Sequence, residues 1–189
     1  MKSREQALEL LQQYTKSESL LRHAFAVEAS MRAYAQKYGE DVEKWGITGL
    51  LHDFDYEQYP TPQEHTIVGA KILAEQGYPD DVIYAIRAHA DYNGLVRDTA
   101  LAKALYACDE LSGFVMAVAM VRPNRDLADV EVKSVKKKLK DKAFARGVNR
   151  DDVYNGAEEL GVNLDEHIAF VIHALQGVRG ELGLDGQTA

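Results

Sequence analysis

The feature that most restricts the fold is a helical period that runs through nearly the whole chain, interrupted only by capping and turn residues. Ser3 with Gln6 forms a capping-box start for a first helix ending near Tyr14. A second helix opens at Ser17 and runs to Gly39, placing His23, Val27, Ser30 and Tyr34 on one face. A third starts at about Asp41 and ends around His52–Asp55, before a loop holding Tyr59-Pro60-Thr61-Pro62. The spacing predicts a fourth helix from about Gln63 to Gly77 and a fifth from Pro79 to His89. Past the Asn93-Gly94 turn, a long apolar helix covers roughly Asp98 to Val121 and is closed by Pro123. A basic helix follows, then two more capped by Asn149 and Asn163 and separated by Gly161. No segment combines period-two alternation with hairpin chemistry. The expectation is one all-α domain over residues 1–189, with a motif core at 17–121, further helices over 126–183 and a frayed tail from Leu184 to Ala189.

A chain of 189 residues supports one sizeable core. The single cysteine, Cys108, excludes a disulfide framework and an all-thiolate zinc site. It ends the apolar run Ala104-Leu105-Tyr106-Ala107-Cys108, so a buried, inert thiol is expected, compatible with a reducing cytoplasm. No uninterrupted apolar run of about 18 residues suggests a membrane span, and the polar start MKSREQALELL lacks a signal peptide's apolar centre. Cytoplasmic location without membrane attachment is the resulting expectation. The net charge of −8 is uneven: residues 133–146 hold seven Lys/Arg against one Asp, a local +6 that leaves −14 for the rest. So acidic a protein is a poor general nucleic-acid binder. The basic segment suits a small anionic substrate, an acidic partner or a solvated helix face.

Chemistry concentrates in an ordered series: His23, His52-Asp53, His65, His89 and Asp109. These residues fall on five successive predicted helices, several at helix ends, where side chains from separate elements converge. Imidazole and carboxylate without thiolate suit Fe, Mn, Zn, Co or Ni. Adjacent residues on a helix project about 100° apart, so Asp53 is placed to bridge two ions while His52 binds one. Asp109 lies mid-way along the apolar sixth helix, where an unpaired carboxylate costs roughly several kcal/mol. Its partner is expected to be a metal, the alternatives being Arg87 or Lys103. His167 and His173, on the last helix without acidic neighbours, read as structural.

The pattern His23, His52-Asp53 and Asp109 on a helical chain resembles the HD-domain superfamily of metal-dependent phosphohydrolases. GLLHDFDYEQYP followed by EHTIVGAKIL is similar to the subgroup with two additional histidines and two metal ions. The later segment KSVKKKLKDKAFARGVNRDD resembles uncharacterised bacterial members predicted to be hydrolases. The resemblance implies metal ligands His23, His52, Asp53, His65, His89 and Asp109, two divalent transition-metal ions, and a small phosphorylated substrate such as a nucleotide. A cyclic-dinucleotide branch has lysine three positions after the motif aspartate; here that residue is Tyr56. In such a hydrolase, metal-activated water attacks phosphorus. Asp53 is then catalytic through the metals, Arg22, Arg87, Lys103 and Arg122 are candidates to orient substrate, with Arg87 foremost, and Asp55 and Glu57 are candidates to relay a proton. The same ligands also suit a di-iron oxygenase, and the basic helix suits a non-catalytic module that senses a ligand or binds a partner.

Overall fold

Local capping sets most helix boundaries. Ser3 Oγ accepts from the Gln6 N–H while the Gln6 side chain accepts from the Ser3 N–H, opening α1 (Arg4–Tyr14). The second helix, α2 (Glu18–Tyr38), stops at Gly39, whose φ of 71° lies in the left-handed range that a Cβ disfavours. Asp41 accepts from the Lys44 N–H and caps α3 (Val42–Leu51). The computed structural model describes residues 2–187 and continues with α4 (Ile67–Glu75), α5 (Asp80–Ala88) and α6 (Ala100–Met120). It closes with α7 (Val132–Leu139), α8 (Arg150–Leu160) and α9 (Leu164–Gln176), the last two capped by Asn149 and Asn163. No strand occurs among the described residues, only an isolated bridge between Asp126 and Asp185. The fold is all-α.

Helix α6 is the axis of the molecule. Its first half buries Leu101, Leu105 and Cys108 in one apolar cluster with α1–α5, including Val27, Met31, Leu50, Leu51 and Ile86. Its second half buries Leu111, Phe114, Val115 and Val118 in another with α7–α9, including Val135, Val153, Ile168 and Val171. Each such side chain contributes about 1.5–3 kcal/mol when fully buried. The division falls between Cys108 and Leu111, which is where Asp109 and Glu110 stand. Across the α2–α6 contact the buried hydroxyls of Ser30 and Ser112 lie 2.9 Å apart, fixing the register of the two helices beside His23 and Asp109. Helix α8 approaches α6 closely at Gly156, where a Cβ would lie 2.7 Å from the Ala107 Cα.

Three expectations need correction. The fourth helix begins at Ile67, not Gln63, because Thr66 takes a left-handed φ of 61° and breaks the preceding turn from the helix. The basic helix ends at Leu139; residues 140–148 form turns in which Ala145 has φ 41°. The tail is not frayed from Leu184 onward: Leu182 and Leu184 are buried, and the Leu127 N–H donates to the Leu184 carbonyl at 2.9 Å. Thr188 and Ala189, also assigned to that tail, lie outside the described residues. Cys108 is fully buried as expected, and burial, followed by the Asp109 charge, pushes its thiol up. No helix among the described residues is long and apolar enough to cross a membrane.

Candidate metal centre

The ends of two helices and the middles of two others meet at the α6 boundary. His52 and His89 are the C-terminal cap residues of α3 and α5. Both retain helical backbone, so each Nδ1–H reaches back three residues: His52 donates to the Gly49 carbonyl at 2.8 Å and His89 to the Ile86 carbonyl at 2.6 Å. One contact satisfies a carbonyl left open at a helix end and fixes the tautomer with Nε2 free to accept. The negative ends of both helices also favour a cation there. His65 lies in the turn before α4, and its Nδ1–H donates to Asp55 Oδ1 at 2.9 Å. Asp55, 1% exposed, is held in turn by the Gly69 N–H at 2.8 Å from Oδ2. Gly69 permits this approach, because a Cβ would sit 2.7 Å from that oxygen. His23 enters from mid-α2 and Asp109 from mid-α6.

The structure brings all six sequence-selected residues together. His23 Nε2 is 2.9 Å from Asp109 Oδ1 and 3.2 Å from His52 Nε2. His52 Nε2 lies 3.3 Å from Asp109 Oδ1 and 3.4 Å from Asp53 Oδ2. The other Asp53 oxygen, Oδ1, is 3.1 Å from His65 Nε2 and 3.2 Å from His89 Nε2. Although buried, it makes no hydrogen bond among the described residues. Two imidazole nitrogens therefore surround a carboxylate oxygen without hydrogen-bonding to it. That arrangement wants a cation, and borderline ions such as Zn or Fe accept these donors. Two trios are compact enough to hold an ion, His23–His52–Asp109 and His52–Asp53–His89, with ligand atoms within 4.8 Å of one another.

The carboxylates and histidines shift one another's protonation. Burial opposes a charged His52, but Asp53 and Asp109 outweigh it and hold its pKa well above the ordinary value. His65 is raised to about 9, burial again being outweighed by Asp53 and Asp55. Burial raises the pKa of Asp53 and Asp109, yet His52 together with His65 and His89, or with His23, keeps both well below the carboxylate range.

The cluster forms one end of a cavity of about 520 Å³. Tyr56, Tyr92, Tyr106, Asp91, Glu110, Asn149 and Asp152 line much of the remainder. Burial, then Asp109 and Asp152, pushes Glu110 up to about 8. Tyr56, standing where a cyclic-dinucleotide branch has lysine, sets its ring edge-on to His65 with centroids 5.1 Å apart. No Lys or Arg lines the cavity among the described residues.

The expected substrate-orienting cations lie outside the cavity lining, and other contacts engage the expected proton-relay residues. Arg87 does not line the cavity, and its Nε is buried without a hydrogen bond; two residues along a helix are about 200° apart, so Arg87 faces away from the side of α5 that carries His89. Arg22 pairs with Glu18, Arg122 donates to the Asp129 carbonyl, and Lys103 borders a separate groove. Glu57 accepts from the Lys16 and Ser17 N–H groups and anchors the entry to α2. Asp55 is buried with both oxygens engaged, so it orients His65. For Asp109 the partners are His23 and His52, not Arg87 or Lys103. Glu110, Tyr106 and Asp152 went unnoticed in the sequence; the one available signal was Glu110 beside Asp109 in an apolar helix.

A histidine–aspartate cluster able to hold a metal ion, set at converging helix ends of an all-α fold, is matched by a family comparison. A profile of the HD domain matches residues 20–113, and the chain belongs to the HD-domain superfamily. It is similar to Ribonuclease Y of Nitratidesulfovibrio vulgaris (strain DP4), 34% identical over 98 residues, or 51% of this chain and 18% of that protein. Ribonuclease Y of Lawsonia intracellularis is 32% identical over 98 residues, 51% of this chain and 19% of its own length. A tRNA (cytidine(56)-2'-O)-methyltransferase of Thermoplasma volcanium is 33% identical over 82 residues, 43% of this chain and 24% of its own. The chain thus spans about a fifth of the length of these curated relatives, and one type of segment recurs in enzymes of different name. No solved structure matches the chain.

Proposed function

We propose that the protein is a metal-dependent phosphohydrolase that cleaves a nucleotide or related phosphate ester. The observation that carries this reading is the set of four imidazole Nε2 atoms gathered around two carboxylates, three of them with Nδ1–H tied to a carbonyl or carboxylate. Such outer hydrogen bonds are how proteins orient metal-ligating histidines. His23, His52 and Asp109 would hold one divalent ion, and His65 and His89 would serve a second. Asp53 turns Oδ2 to His52 and Oδ1 to His65 and His89, so it would serve both groups. When bound, the ions lower the pKa of water and offset charge on phosphoryl oxygens. Among the described residues no Lys or Arg lines the cavity, so offsetting that charge would fall to the ions and their histidines. Tyr56 and Tyr92, both exposed, supply ring faces for the organic part of the substrate, whereas the Tyr106 ring is covered by Arg97 and its hydroxyl donates to Asp152; Asp55 keeps His65 in its orientation. Arg87 and Glu57 lie outside the cavity lining and take no part. The names of the relatives make an RNA phosphodiester one member of the substrate class to be tried.

The test is elemental analysis of freshly purified protein, followed by a panel of phosphomonoesters and phosphodiesters with the recovered metal restored. Metal-dependent hydrolysis of at least one ester is expected. A metal-loaded protein inert across the panel sinks the reading, and a coloured, redox-titratable iron centre without phosphatase activity redirects it to oxygen chemistry.

A further inference from the structure

The basic segment has no role in the cluster, yet the structure connects the two. Lys140 lines both a groove along α7, with Lys133 and Lys137, and a second groove with Lys142, Arg146 and Tyr154. Val148 belongs to that second groove and also to the wall of the histidine–aspartate cavity. The three concavities are therefore neighbours that share Lys140 and Val148, residues beyond the segment that the HD profile matches.

Lys133, Lys137, Lys140, Lys142 and Arg146 are all exposed, and none is in an ion pair among the described residues, whereas Lys136 is paired with Asp165 and Lys138 with Asp141. Beyond α7 the cations sit on a held loop. Arg150 donates to the carbonyls of Phe144, Ala145 and Val148 and lies 4.8 Å above the Phe114 ring, so the loop is tied to α6. The left-handed backbone of Ala145 persists inside this arrangement, a conformation that a non-glycine residue keeps only when its surroundings impose it. Tyr154, 43% exposed, offers an aromatic face in the same groove. The acidic charge elsewhere does not cancel such a strip, because at physiological salt charges more than about 8 Å apart are largely screened.

We propose that this strip binds a single-stranded nucleic acid and leads its backbone past Val148 to the metal centre. Unpaired exposed cations beside an exposed aromatic ring fit phosphates and a base, and base stacking is tolerant of sequence. An acidic protein segment would use the cations but leave the tyrosine face without a base. The claim that the bound strand is also cut rests on the phosphohydrolase reading above; binding itself does not.

The experiment is fluorescence anisotropy of a labelled oligouridylate of about 12 nucleotides with the full chain, over a salt series. Log affinity should fall linearly with log salt, with a slope of about −0.7 per phosphate contacted. The triple variant Lys137→Glu, Lys140→Glu, Lys142→Glu should bind at least about tenfold more weakly and with a slope shallower by about 2. Tyr154→Ala should lose about fivefold with the slope unchanged, which separates stacking from charge. Circular dichroism and metal content serve as folding controls, and Tyr154→Ala keeps the test open should the triple variant misfold. Absence of binding by the unaltered protein, or equal binding by both variants, overturns the proposal. So does a poly-glutamate peptide that binds as tightly as the oligonucleotide, which assigns the strip to an acidic protein partner. A strand bound as expected but cleaved with no metal leaves the strip standing and removes the hydrolase reading; ester hydrolysis without strand binding does the reverse.

Discussion

His52 and His167 are both almost fully buried, and both touch α6 or a residue on it, yet they resolve burial in opposite ways. His52 faces Asp53 and Asp109 and is driven toward the charged form. His167 lies 2.6 Å from the Tyr34 hydroxyl through Nδ1 and donates from Nε2 to the Ala107 carbonyl at 2.9 Å. Burial lowers it to about 4, the carbonyl hydrogen bond opposing only in part. Ring and depth are alike; the partners differ, and so does the helix end, since His52 closes α3 while His167 lies in the first turn of α9. Neutral partners make a histidine a structural pin between α2, α6 and α9, whereas carboxylates make it half of a cation site.

The comparison breaks most decisively at the carboxylates. Asp53→Ala should abolish metal retention and reduce ester hydrolysis at least about a thousandfold, because it removes the ligand shared by both groups. Metal content equal to the unaltered protein by elemental analysis would remove Asp53 from the site. Asp55→Asn should weaken metal affinity about 10- to 100-fold by loosening His65, and one ion should be lost before the other on titration with a chelator. Unchanged affinity would show that His65 needs no orienting partner.

On the other side of the comparison, His167→Ala should leave metal content intact while destabilising the fold by about 2–4 kcal/mol, since a cavity forms and the Tyr34 hydroxyl and Ala107 carbonyl lose partners. Urea unfolding measures this, and loss of metal instead would join the two regions functionally. The pH dependence follows from the same group. His167 titrates near 4 when folded and near 6.5 when unfolded, so the unfolded chain takes up the proton first. Its contribution is therefore complete above pH 6.5 and falls as pH drops toward 4, by up to about 3 kcal/mol. Urea midpoints of unaltered protein and His167→Ala should converge over that window; a constant gap would contradict the sign. The smallest effect is expected at Glu57→Ala, a slight fall in Tm with unchanged ester turnover, because Glu57 serves the α2 entry.

Much of this was legible because capping is local. Ser3, Asp41, Asn149 and Asn163 each use a side chain within a few residues of the amide it satisfies, so their helices start where expected. The six residues of the cluster were legible because few residue types suit a borderline metal and their order placed them on different helices. Arg87 shows where proximity in sequence misleads: two steps along α5 reverse the direction of the side chain. Thr66 shows another limit, since its strained backbone beside His65 is set by surroundings, including the Asn93 amide that donates to its hydroxyl at 2.7 Å. Leu184 looked like a terminus and is held by a contact with Leu127, far away along the chain.

By itself, the sequence determined an all-helical chain, most of its helix boundaries and the residues that converge on one site. Those depend on period, caps and ligand chemistry, all read within a few residues of each position. The tertiary structure alone decided that Asp53 divides its two oxygens between histidine groups, that Asp55 orients His65, that no Lys or Arg among the described residues lines the cavity, and that the groove of the basic segment shares Val148 with it. Each of these depends on which faces of separate helices meet around α6, and that is settled only when distant apolar surfaces are buried against one another.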